Sequence, residues 1–232
     1  MRTTAVIVAG GKGLRMGTDV RKQYLLLDGI PVIGHTLRAF DRCPVITDIC
    51  LVTPSLDMDY CRQSVVDVVS PSKPVLMVAG GAERQHSVYN GLMALEAGPD
   101  DVVVIHDGVR PFVDDSQILE CVETARRTGA AILAVPVSDT LKLSDDHGMI
   151  DRTLDRHQVW MAQTPQVFRY GLIREAHDRA AAENIMGTDD AFLLERLGTK
   201  VALVQGSRNN IKITTPEDME LARSLMSHAS LS

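Results

Sequence analysis

The sequence predicts an α/β protein with an open, mostly parallel twisted sheet flanked by helices and a protruding β-hairpin arm. Short β-branched runs alternate along the chain with segments of helical period, which is the order expected of a parallel sheet. Several of these runs are apolar at successive residues, as strands buried on both faces are. One polar, turn-rich stretch at 138–160 interrupts the alternation and indicates the arm.

The individual elements follow from these patterns. The predicted strands lie at 4–9, 47–53, 75–79, 101–106, 130–137 and 201–205. The predicted helices lie at 32–42, 56–69, 84–97, 114–128, 170–183, 188–197 and 216–228. The last helix has the clearest start, because Thr215 can cap it, Pro216 suits its first position and acidic residues follow.

The stretch that interrupts the alternation reads SDTLKLSDDHGMIDRTLDRHQVW and contains a hairpin turn pattern at 146–148. A hairpin that leaves the domain would explain its polarity. The sequence has no internal repeat, low-complexity tract or linker. We therefore predict a single domain over 1–232 with the arm at about 138–160.

Composition limits the function. The chain has 232 residues, is 45% apolar and carries a net charge of −6, so it can bury a core but lacks the broad basic face of a nucleic-acid binder. Its apolar runs are too short for a signal peptide or a membrane span. Cys43, Cys50, Cys61 and Cys121 have neither zinc nor disulfide-framework spacing. We expect a cytoplasmic protein with reduced, buried thiols and with neither nucleic acid nor membrane as a partner.

The stretch after the first predicted strand, VAGGKGLRMGTDVRKQ at 8–23, raises a choice between several kinds of loop. Its glycines come close to a dinucleotide-binding fingerprint, but neither the helical period nor the acidic residue that the fingerprint needs follows at the right spacing. The G-K-[ST] of a P-loop is absent as well. What remains is a tight turn with solvated charges or a loop that binds a triphosphate.

The charges in this loop are compatible with the triphosphate. Residues 10–24 hold four cations (Lys12, Arg15, Arg21 and Lys22) against one anion (Asp19), a local charge of +3. Glycines let backbone N–H groups approach phosphate oxygens. Arg15 can bind two oxygens at once, and Lys22 adds a point charge.

Three further positions tip the balance toward a nucleotide site. Asp107 follows a buried strand, where ligands of α/β sheets gather, and can either hold Mg²⁺ or cap a turn. Ser87 follows a second Gly-Gly turn and can contact a base or ribose, or cap a helix. Lys212 lies in a short predicted β run, where alternation places Ile211 and Ile213 on one side and Lys212 on the other. Lys212 is then either a surface lysine or a residue that points into the cleft.

Eight short motifs occur in order along the chain: A-G-G-x-G-x-R-M, K-Q-Y, G-G-x-E-R, H-D-x-x-R-P-F, D-T-L-K, D-R-x-x-x-W, Q-T-P-Q-x-F and N-I-K-I-T. Together they resemble the 2-C-methyl-D-erythritol 4-phosphate cytidylyltransferases, over about residues 4–226. The resemblance implies a Rossmann-like sheet of the nucleotidyltransferase type. It also implies transfer of CMP from CTP to methylerythritol phosphate with release of pyrophosphate, a step of the non-mevalonate route to isoprenoid precursors.

The resemblance assigns expected roles to individual residues. The implied catalytic residues are Arg15, Lys22, Arg156 and Lys212. The implied nucleotide-binding residues are Ala9, Gly11, Gly13, Gly81, Ser87 and Asp107, and Asp107 is also the implied metal ligand. The implied acceptor-binding residues are Arg110, Thr140, Arg156, Thr164, Thr188 and Lys212.

The partners implied by the resemblance are CTP and a sugar-alcohol phosphate, with Mg²⁺ or another divalent cation as cofactor. The chemistry agrees, because a phosphate monoester has a second pKa of about 6 and needs no general base at neutral pH. The reaction instead needs cations that suppress repulsion between two anions and hold them in line. A homodimer with interlocked arms is also implied, which makes the arm at about 138–160 a dimerisation element.

Three alternatives remain. Two motifs, Val8-Ala9-Gly10-Gly11 and D-G-V-R-P, depart from the common form toward a sibling family, the ribitol-5-phosphate cytidylyltransferases. The segment TLDRHQVW at 153–160 is instead close to the methylerythritol version. An NAD(P)-dependent oxidoreductase is disfavoured by the missing helix and acidic residue. A nucleotide-binding sensor without turnover would be expected to have lost Lys22, Arg15 or Asp107, and the chain has all three.

Overall fold

The protein is described by a computed structural model that covers residues 1–10 and 21–229. Its strands are β1 (Thr3–Val8), β2 (Leu26–Leu27), β3 (Ile30–Pro31), β4 (Asp48–Thr53), β5 (Val75–Ala79), β6 (Val102–Asp107), β7 (Ala130–Pro136), β8 (Lys142–Ser144), β9 (Ile150–Thr153), β10 (Trp160–Arg169) and β11 (Ala202–Gln205). Its helices are α1 (Val32–Arg42), α2 (Met58–Cys61), α3 (Asp67–Val69), α4 (Arg84–Met93), α5 (Asp115–Thr128), α6 (Tyr170–Ala182), α7 (Asp190–Arg196) and α8 (Pro216–Ala229). A π-helical segment, Arg62–Val66, joins α2 to α3.

A central sheet of seven strands has the order β11–β7–β10–β6–β1–β4–β5. Its strand pairs are parallel, except that β10 runs antiparallel to both of its neighbours, β6 and β7. All six predicted strands are present in this sheet, and the predicted α/β fold is confirmed. The helix predictions hold as well, although the helix expected at 56–69 is divided into α2, the π-helical segment and α3.

Alternate residues of the central strands pack on opposite layers of helices. On one face, Ala5 and Ile7 of β1 join the core formed with α1 and α5. On the other face, Val6 and Val8 join the core formed with α4, α6 and α7. Because β1 is buried along its whole length, its residues 5–8 are apolar at successive positions rather than alternately. Among the described residues, no helix is both long and apolar enough to cross a bilayer.

The antiparallel strand β10 is an element that the sequence did not predict. Its register with β7 shifts between Ala162 and Gln166, which marks an irregularity in the middle of the strand. The intervening residues, Gln163, Thr164 and Pro165, are two polar residues and a proline, and they hide the strand pattern. Irregularities of this kind re-aim side chains, and they are frequent beside active sites.

The strand order reverses beside β1. The chain passes from β1 to β4 and β5 on one side, and then returns to place β6 on the other side of β1. In open α/β sheets the crevice at such a switch point, outside the carboxyl ends of the strands, is where ligands bind. Residues that follow β1 and β6, beginning with Ala9 and Gly108, therefore border the expected site.

The arm predicted at about 138–160 is present between β7 and β10. It consists of the β8–β9 hairpin and a 3₁₀ turn at Arg156–Gln158. The arm continues two neighbouring strands, since the N–H of Val137 donates to the carbonyl of Val159 over 3.1 Å. Every residue of 138–159 is exposed or partly exposed, and Met149 and Ile150 are 67% and 65% exposed. The arm therefore does not bury its apolar side chains within the described part of its own chain.

Candidate active site

A cleft of about 320 Å³ opens at the carboxyl ends of β1 and β6. Four of the residues predicted from the sequence line it: Ala9, Lys22, Asp107 and Lys212. These positions are up to two hundred residues apart in the chain, and the strand reversal beside β1 brings them together. The cleft therefore occupies the position that the fold assigns to a ligand site.

The wall formed by the residues after β1 is fixed through the backbone. The N–H of Ala9 donates to the carbonyl of Val52 over 2.8 Å, and the buried side-chain amide of Gln23 donates to the carbonyl of Ala9 over 2.8 Å. Gln23 lies in a 3₁₀ turn, Lys22–Tyr24, so this bond also holds the turn that carries Lys22 against the end of β1. Lys22 is thereby placed in the lining of the cleft.

The opposite wall is the turn between β5 and α4. The buried Ser87 hydroxyl accepts a hydrogen bond from the N–H of Gly81 over 3.1 Å and donates to the carbonyl of Glu83 over 3.1 Å. Gly10 is required here, because a Cβ at that position would lie 2.7 Å from the Ser87 oxygen. Ser87 thus braces the turn that joins two predicted nucleotide-binding positions, Gly81 and Ser87 itself.

Asp107, the last residue of β6, is the charged centre of the cleft. Its Oδ1 accepts a hydrogen bond from Arg84 Nε over 2.8 Å, and its Oδ2 lies 2.8 Å from Lys212 Nζ and 3.7 Å from Arg110 Nε. Burial by itself would raise the pKa of Asp107, but Arg84 and Lys212 outweigh burial and hold that pKa well below its usual range. The carboxylate is therefore ionised and in contact with three cations.

Hydrogen bonds connect Asp107 and Arg110 to the irregular part of β10. The backbone N–H of Asp107 donates to the Thr164 hydroxyl over 3.1 Å. Arg110 donates through Nη1 to the carbonyl of Asn210 over 2.7 Å, and the Asn210 amide donates to the carbonyl of Thr164 over 2.8 Å. The predicted acceptor residues Arg110 and Thr164 thus lie beside Asp107, and the unpredicted Asn210 connects them.

The expectation for Lys212 is half correct. The side chain does point into the cleft, while Ile213 is buried on the other side. The predicted β run is wrong, because residues 211–214 form no strand. The segment is held instead by a bond from the N–H of Ile213 to the carbonyl of Val109 over 2.9 Å and by packing of Ile213 against α8.

Three other predicted residues, Thr140, Arg156 and Thr188, are not among the residues that line this cleft. Thr140 and Arg156 are exposed on the arm, where the Arg156 guanidinium donates to the carbonyl of Ser138. Thr188 is exposed just before α7. Gly11, Gly13 and Arg15 lie outside the described residues.

Two charged residues that sequence reasoning missed connect the cleft to the core. Arg84, in the first turn of α4, contacts Asp107 through Nε and Asp190 through Nη1, the latter over 2.7 Å. Asp190 is buried at the start of α7. The motif G-G-x-E-R contained Arg84, but Asp190 follows Asp189 at a predicted helix start, where an acidic residue is ordinarily a cap.

An ionised carboxylate among cations, at the switch point of a parallel sheet, suits the transfer of phosphoryl or nucleotidyl groups. In such reactions the protein mainly positions anions and offsets their charge. Fold and cleft together therefore favour the nucleotidyltransferase class. An NAD(P)-dependent oxidoreductase would need a dinucleotide fingerprint, which the sequence lacks.

Comparison with known proteins gives the particular family. The family model for 2-C-methyl-D-erythritol 4-phosphate cytidylyltransferase matches residues 3–228. Curated proteins of that name from Geotalea uraniireducens and Geobacter metallireducens are 51% and 50% identical to this chain, covering 97% of it and 97% and 98% of their own lengths. A crystal structure of 4-diphosphocytidyl-2C-methyl-D-erythritol synthase from Anaerococcus prevotii superposes with a TM-score of 0.86 at 33% identity, covering 97% of this chain and 96% of that one.

The chain belongs to the 2-C-methyl-D-erythritol 4-phosphate cytidylyltransferase family, and it is an enzyme. The resemblance predicted from eight motifs is confirmed. The alternative acceptor, ribitol 5-phosphate, is not favoured by these relatives. The roles of individual residues remain predictions.

Proposed function

We propose that the enzyme transfers CMP from CTP to 2-C-methyl-D-erythritol 4-phosphate and releases pyrophosphate, in the non-mevalonate route to isoprenoid precursors. The observation that carries the proposal is the contact of Arg84, Arg110 and Lys212 with Asp107 in a switch-point cleft. Arg84 also pairs with Asp190, and three cations against these two carboxylates still leave positive charge for anionic substrates. CTP and a phosphate monoester are both strongly anionic, so this charge opposes their mutual repulsion.

In the proposed reaction an oxygen of the acceptor phosphate attacks the α-phosphorus of CTP. A new O–P bond forms, the bond from the α-phosphorus to the oxygen that bridges to the β-phosphorus breaks, and pyrophosphate leaves with the bonding electron pair. The attacking phosphate is already largely dianionic near neutral pH, so no side chain has to remove a proton. Lys22 and Arg15 would act on the charge that develops at the α-phosphate and the leaving group, and Lys212 would help to position the acceptor phosphate.

A divalent cation fits the cleft as part of this proposal. Among the described residues no group of three or more His, Cys, Asp or Glu could hold a metal alone. Mg²⁺, however, is commonly held by one or two carboxylates together with substrate phosphates. The ionised Asp107 carboxylate would hold Mg²⁺ in this way, and the metal would offset charge on the phosphates.

An assay of substrates tests the proposal. We expect pyrophosphate release that requires CTP, methylerythritol phosphate and Mg²⁺, with CTP favoured over UTP and ATP. Equal turnover with ribitol 5-phosphate would contradict the proposed acceptor. Binding of NADH together with no turnover of CTP would contradict the proposed reaction.

We also propose that the active enzyme is a homodimer whose arms exchange. The arm at 138–159 exposes Met149 and Ile150, which a partner subunit would cover. Arg156 lies on the arm and does not line the cleft of its own chain. In an arm-exchanged dimer, Arg156 and Thr140 would instead reach the acceptor phosphate in the partner's cleft.

Subunit mixing tests the exchange. Lys22→Ala and Arg156→Ala proteins should each be nearly inactive, and a mixed dimer should contain one site with both defects and one site with neither. Random exchange makes about half of the dimers mixed, so activity should rise toward about a quarter of wild type. If mass spectrometry confirms mixed dimers and activity does not rise, Arg156 acts within its own chain.

A cytoplasmic location completes the proposal. Its support is that Cys43, Cys50, Cys61 and Cys121 are all free and buried. Burial also raises the pKa of the Cys50 and Cys61 thiols to about 12, so they stay protonated and unreactive near neutral pH. Unpaired thiols of this kind are typical of a reducing compartment.

A further inference from the structure

Asp190 is a buried carboxylate whose connection to the cleft runs through a single side chain. Its exposed fraction is 1%, and its Oδ2 accepts a hydrogen bond from Arg84 Nη1 over 2.7 Å. Its Oδ1 lies 3.1 Å from Nε2 of the equally buried His177. One oxygen is thus held by a buried histidine and the other by Arg84 at the cleft, so the carboxylate has a fixed orientation toward Arg84.

The backbone around Asp190 is fixed as firmly as its side chain. The Gln166 side-chain oxygen accepts hydrogen bonds from the N–H groups of Asp190 and Ala191, both over 3.1 Å. Asp189 caps α7 by accepting from the N–H of Phe192 over 2.9 Å. The start of α7 is therefore attached to β10, the strand that also supports Asp107.

The presence of a buried, ionised carboxylate at this position is not well explained by a contribution to folding stability alone. Burial by itself would raise the pKa of Asp190, but Arg84 and His177 reverse this and lower it, so the charge stays in the core. Replacing a buried ion pair with apolar residues is often neutral or stabilising. The pair is better explained by what Asp190 does for the orientation of Arg84.

Arg84 is shared between two carboxylates. Its planar guanidinium uses Nε on Asp107 and Nη1 on Asp190, which fixes both its position and its plane. The side chain is 29% exposed and lines the cleft. Because Asp190 holds the guanidinium on the side away from the cleft, Arg84 can give up its contact with Asp107 and bind a phosphate oxygen while it keeps its position.

We propose that Asp190 is a positioning residue for the transfer reaction, and that it acts through Arg84. When the triphosphate enters, Arg84 keeps its Nη1 contact with Asp190 and turns its remaining N–H groups from Asp107 to the phosphates. Asp107 then loses one cation at the moment when the incoming substrate brings negative charge. This inference rests on the proposed function, since it needs a triphosphate in the cleft.

The test compares Asp190→Asn with a matched control, Asp48→Asn. Asp48 is also a buried aspartate paired with an arginine, Arg2, but it lies at the opposite end of the sheet. We expect Asp190→Asn to raise the Kd for CTP about 10-fold in calorimetric titrations without acceptor, roughly the effect of one misplaced charged hydrogen bond. Its kcat should fall on the order of 10–100-fold. Asp48→Asn should change neither value while losing similar thermal stability.

Arg84→Lys keeps the charge but cannot span two carboxylates, so it should show the same defects as Asp190→Asn. If Asp190 acts through Arg84, the double variant should be no worse than Arg84→Lys alone. A wild-type Kd and kcat in Arg84→Lys would overturn the proposal even if Asp190→Asn did not fold. Fully additive losses in the double variant would also overturn it. Absence of CTP turnover in the wild type would instead overturn the proposed function.

Discussion

At each end of the central sheet one strand carries a buried aspartate, and these two carboxylates have different kinds of partner. Asp48, at the amino end of β4, accepts hydrogen bonds from Arg2 Nε over 2.6 Å, Thr47 Oγ1 over 2.6 Å and Thr4 Oγ1 over 2.8 Å. One cation and two hydroxyl groups satisfy it. Asp107, at the carboxyl end of β6, contacts three cations and receives no hydroxyl hydrogen bond to its carboxylate from the described residues.

We infer that the difference separates a carboxylate with a structural role, Asp48, from one with the proposed functional role, Asp107. At the amino end a single arginine offsets the charge of Asp48, and neutral hydroxyl groups complete its hydrogen bonding. At the carboxyl end the three cations carry more charge than Asp107 offsets, so a positive potential remains for a ligand. Both carboxylates have lowered pKa values despite burial, so a pKa shift alone does not distinguish them. The identity of the partners does.

Exchange of each aspartate for asparagine should give the largest contrast. Asp107→Asn keeps the shape and removes the charge that would hold Mg²⁺, so kcat should fall by about 10²–10³-fold, or about 3–4 kcal/mol of barrier. Asp48→Asn should stay within about 2-fold of wild type, because it lies at the other end of the sheet. Steady-state assays over a range of Mg²⁺ concentrations measure both, and excess Mg²⁺ should recover part of the Asp107→Asn activity. An unchanged Mg²⁺ dependence in Asp107→Asn would place the metal elsewhere.

Ligand-induced stabilisation should give a smaller contrast. CTP at about 100 times its Kd should add about 2.7 kcal/mol to the free energy of unfolding, which raises Tm by roughly 5–10 °C for a chain of this size. Lys212→Ala should reduce that gain at the same CTP concentration, since it removes one cation from the cleft. Arg2→Ala should keep the full gain. Thermal melts with and without CTP measure the effect, and equal gains in both variants would show that Lys212 is not part of the binding charge.

A fall in pH should give the smallest effect, measured on the free energy of unfolding. It should affect the aspartates at both ends of the sheet, since both have lowered pKa values. The folded pKa of Asp48 is lowered, because Arg2, Thr47 and Thr4 outweigh the effect of burial. Its stabilisation is therefore complete above the unfolded pKa of about 3.9 and is lost as pH falls below that value. Asp48→Asn should cost about 1 kcal/mol at pH 7, with the difference from wild type shrinking toward pH 3. Urea unfolding at both pH values tests this, and a constant difference would contradict it.

The strands that the sequence predicts are those with an uninterrupted apolar pattern. β1 and β6 were predictable because burial on both faces gives each a run of successive apolar residues, at 5–8 and 102–105. β10 was not, because Gln163, Thr164 and Pro165 interrupt its pattern where the strand supports the site. The polar, irregular part of β10 is thus the part of the central sheet that sequence periodicity describes worst.

Site residues were predictable where their position next to a predicted strand is visible in the sequence. They were not predictable where the site depends on a contact between residues far apart in the chain. Asp107 was expected at the cleft because it ends a buried strand, and Lys212 was expected on the opposite side to its isoleucine neighbours. The link from Arg84 to Asp190 joins residues 106 positions apart, and no local pattern indicates it. Its detection needs the packing of α4 against the start of α7.

The course of the arm has a consequence for protein engineering. The hairpin tip near Gly148 is exposed, and the strands on either side of the arm, β7 and β10, are neighbours in the sheet. A polypeptide cut at this tip would yield two pieces, the second of which inserts β10 between β6 and β7 of the first. Because Asp107 and Arg84 belong to the first piece while Asp190 and Lys212 belong to the second, neither piece has a whole cleft. We therefore expect catalysis to return only when the two pieces meet, which is the behaviour that a split reporter requires.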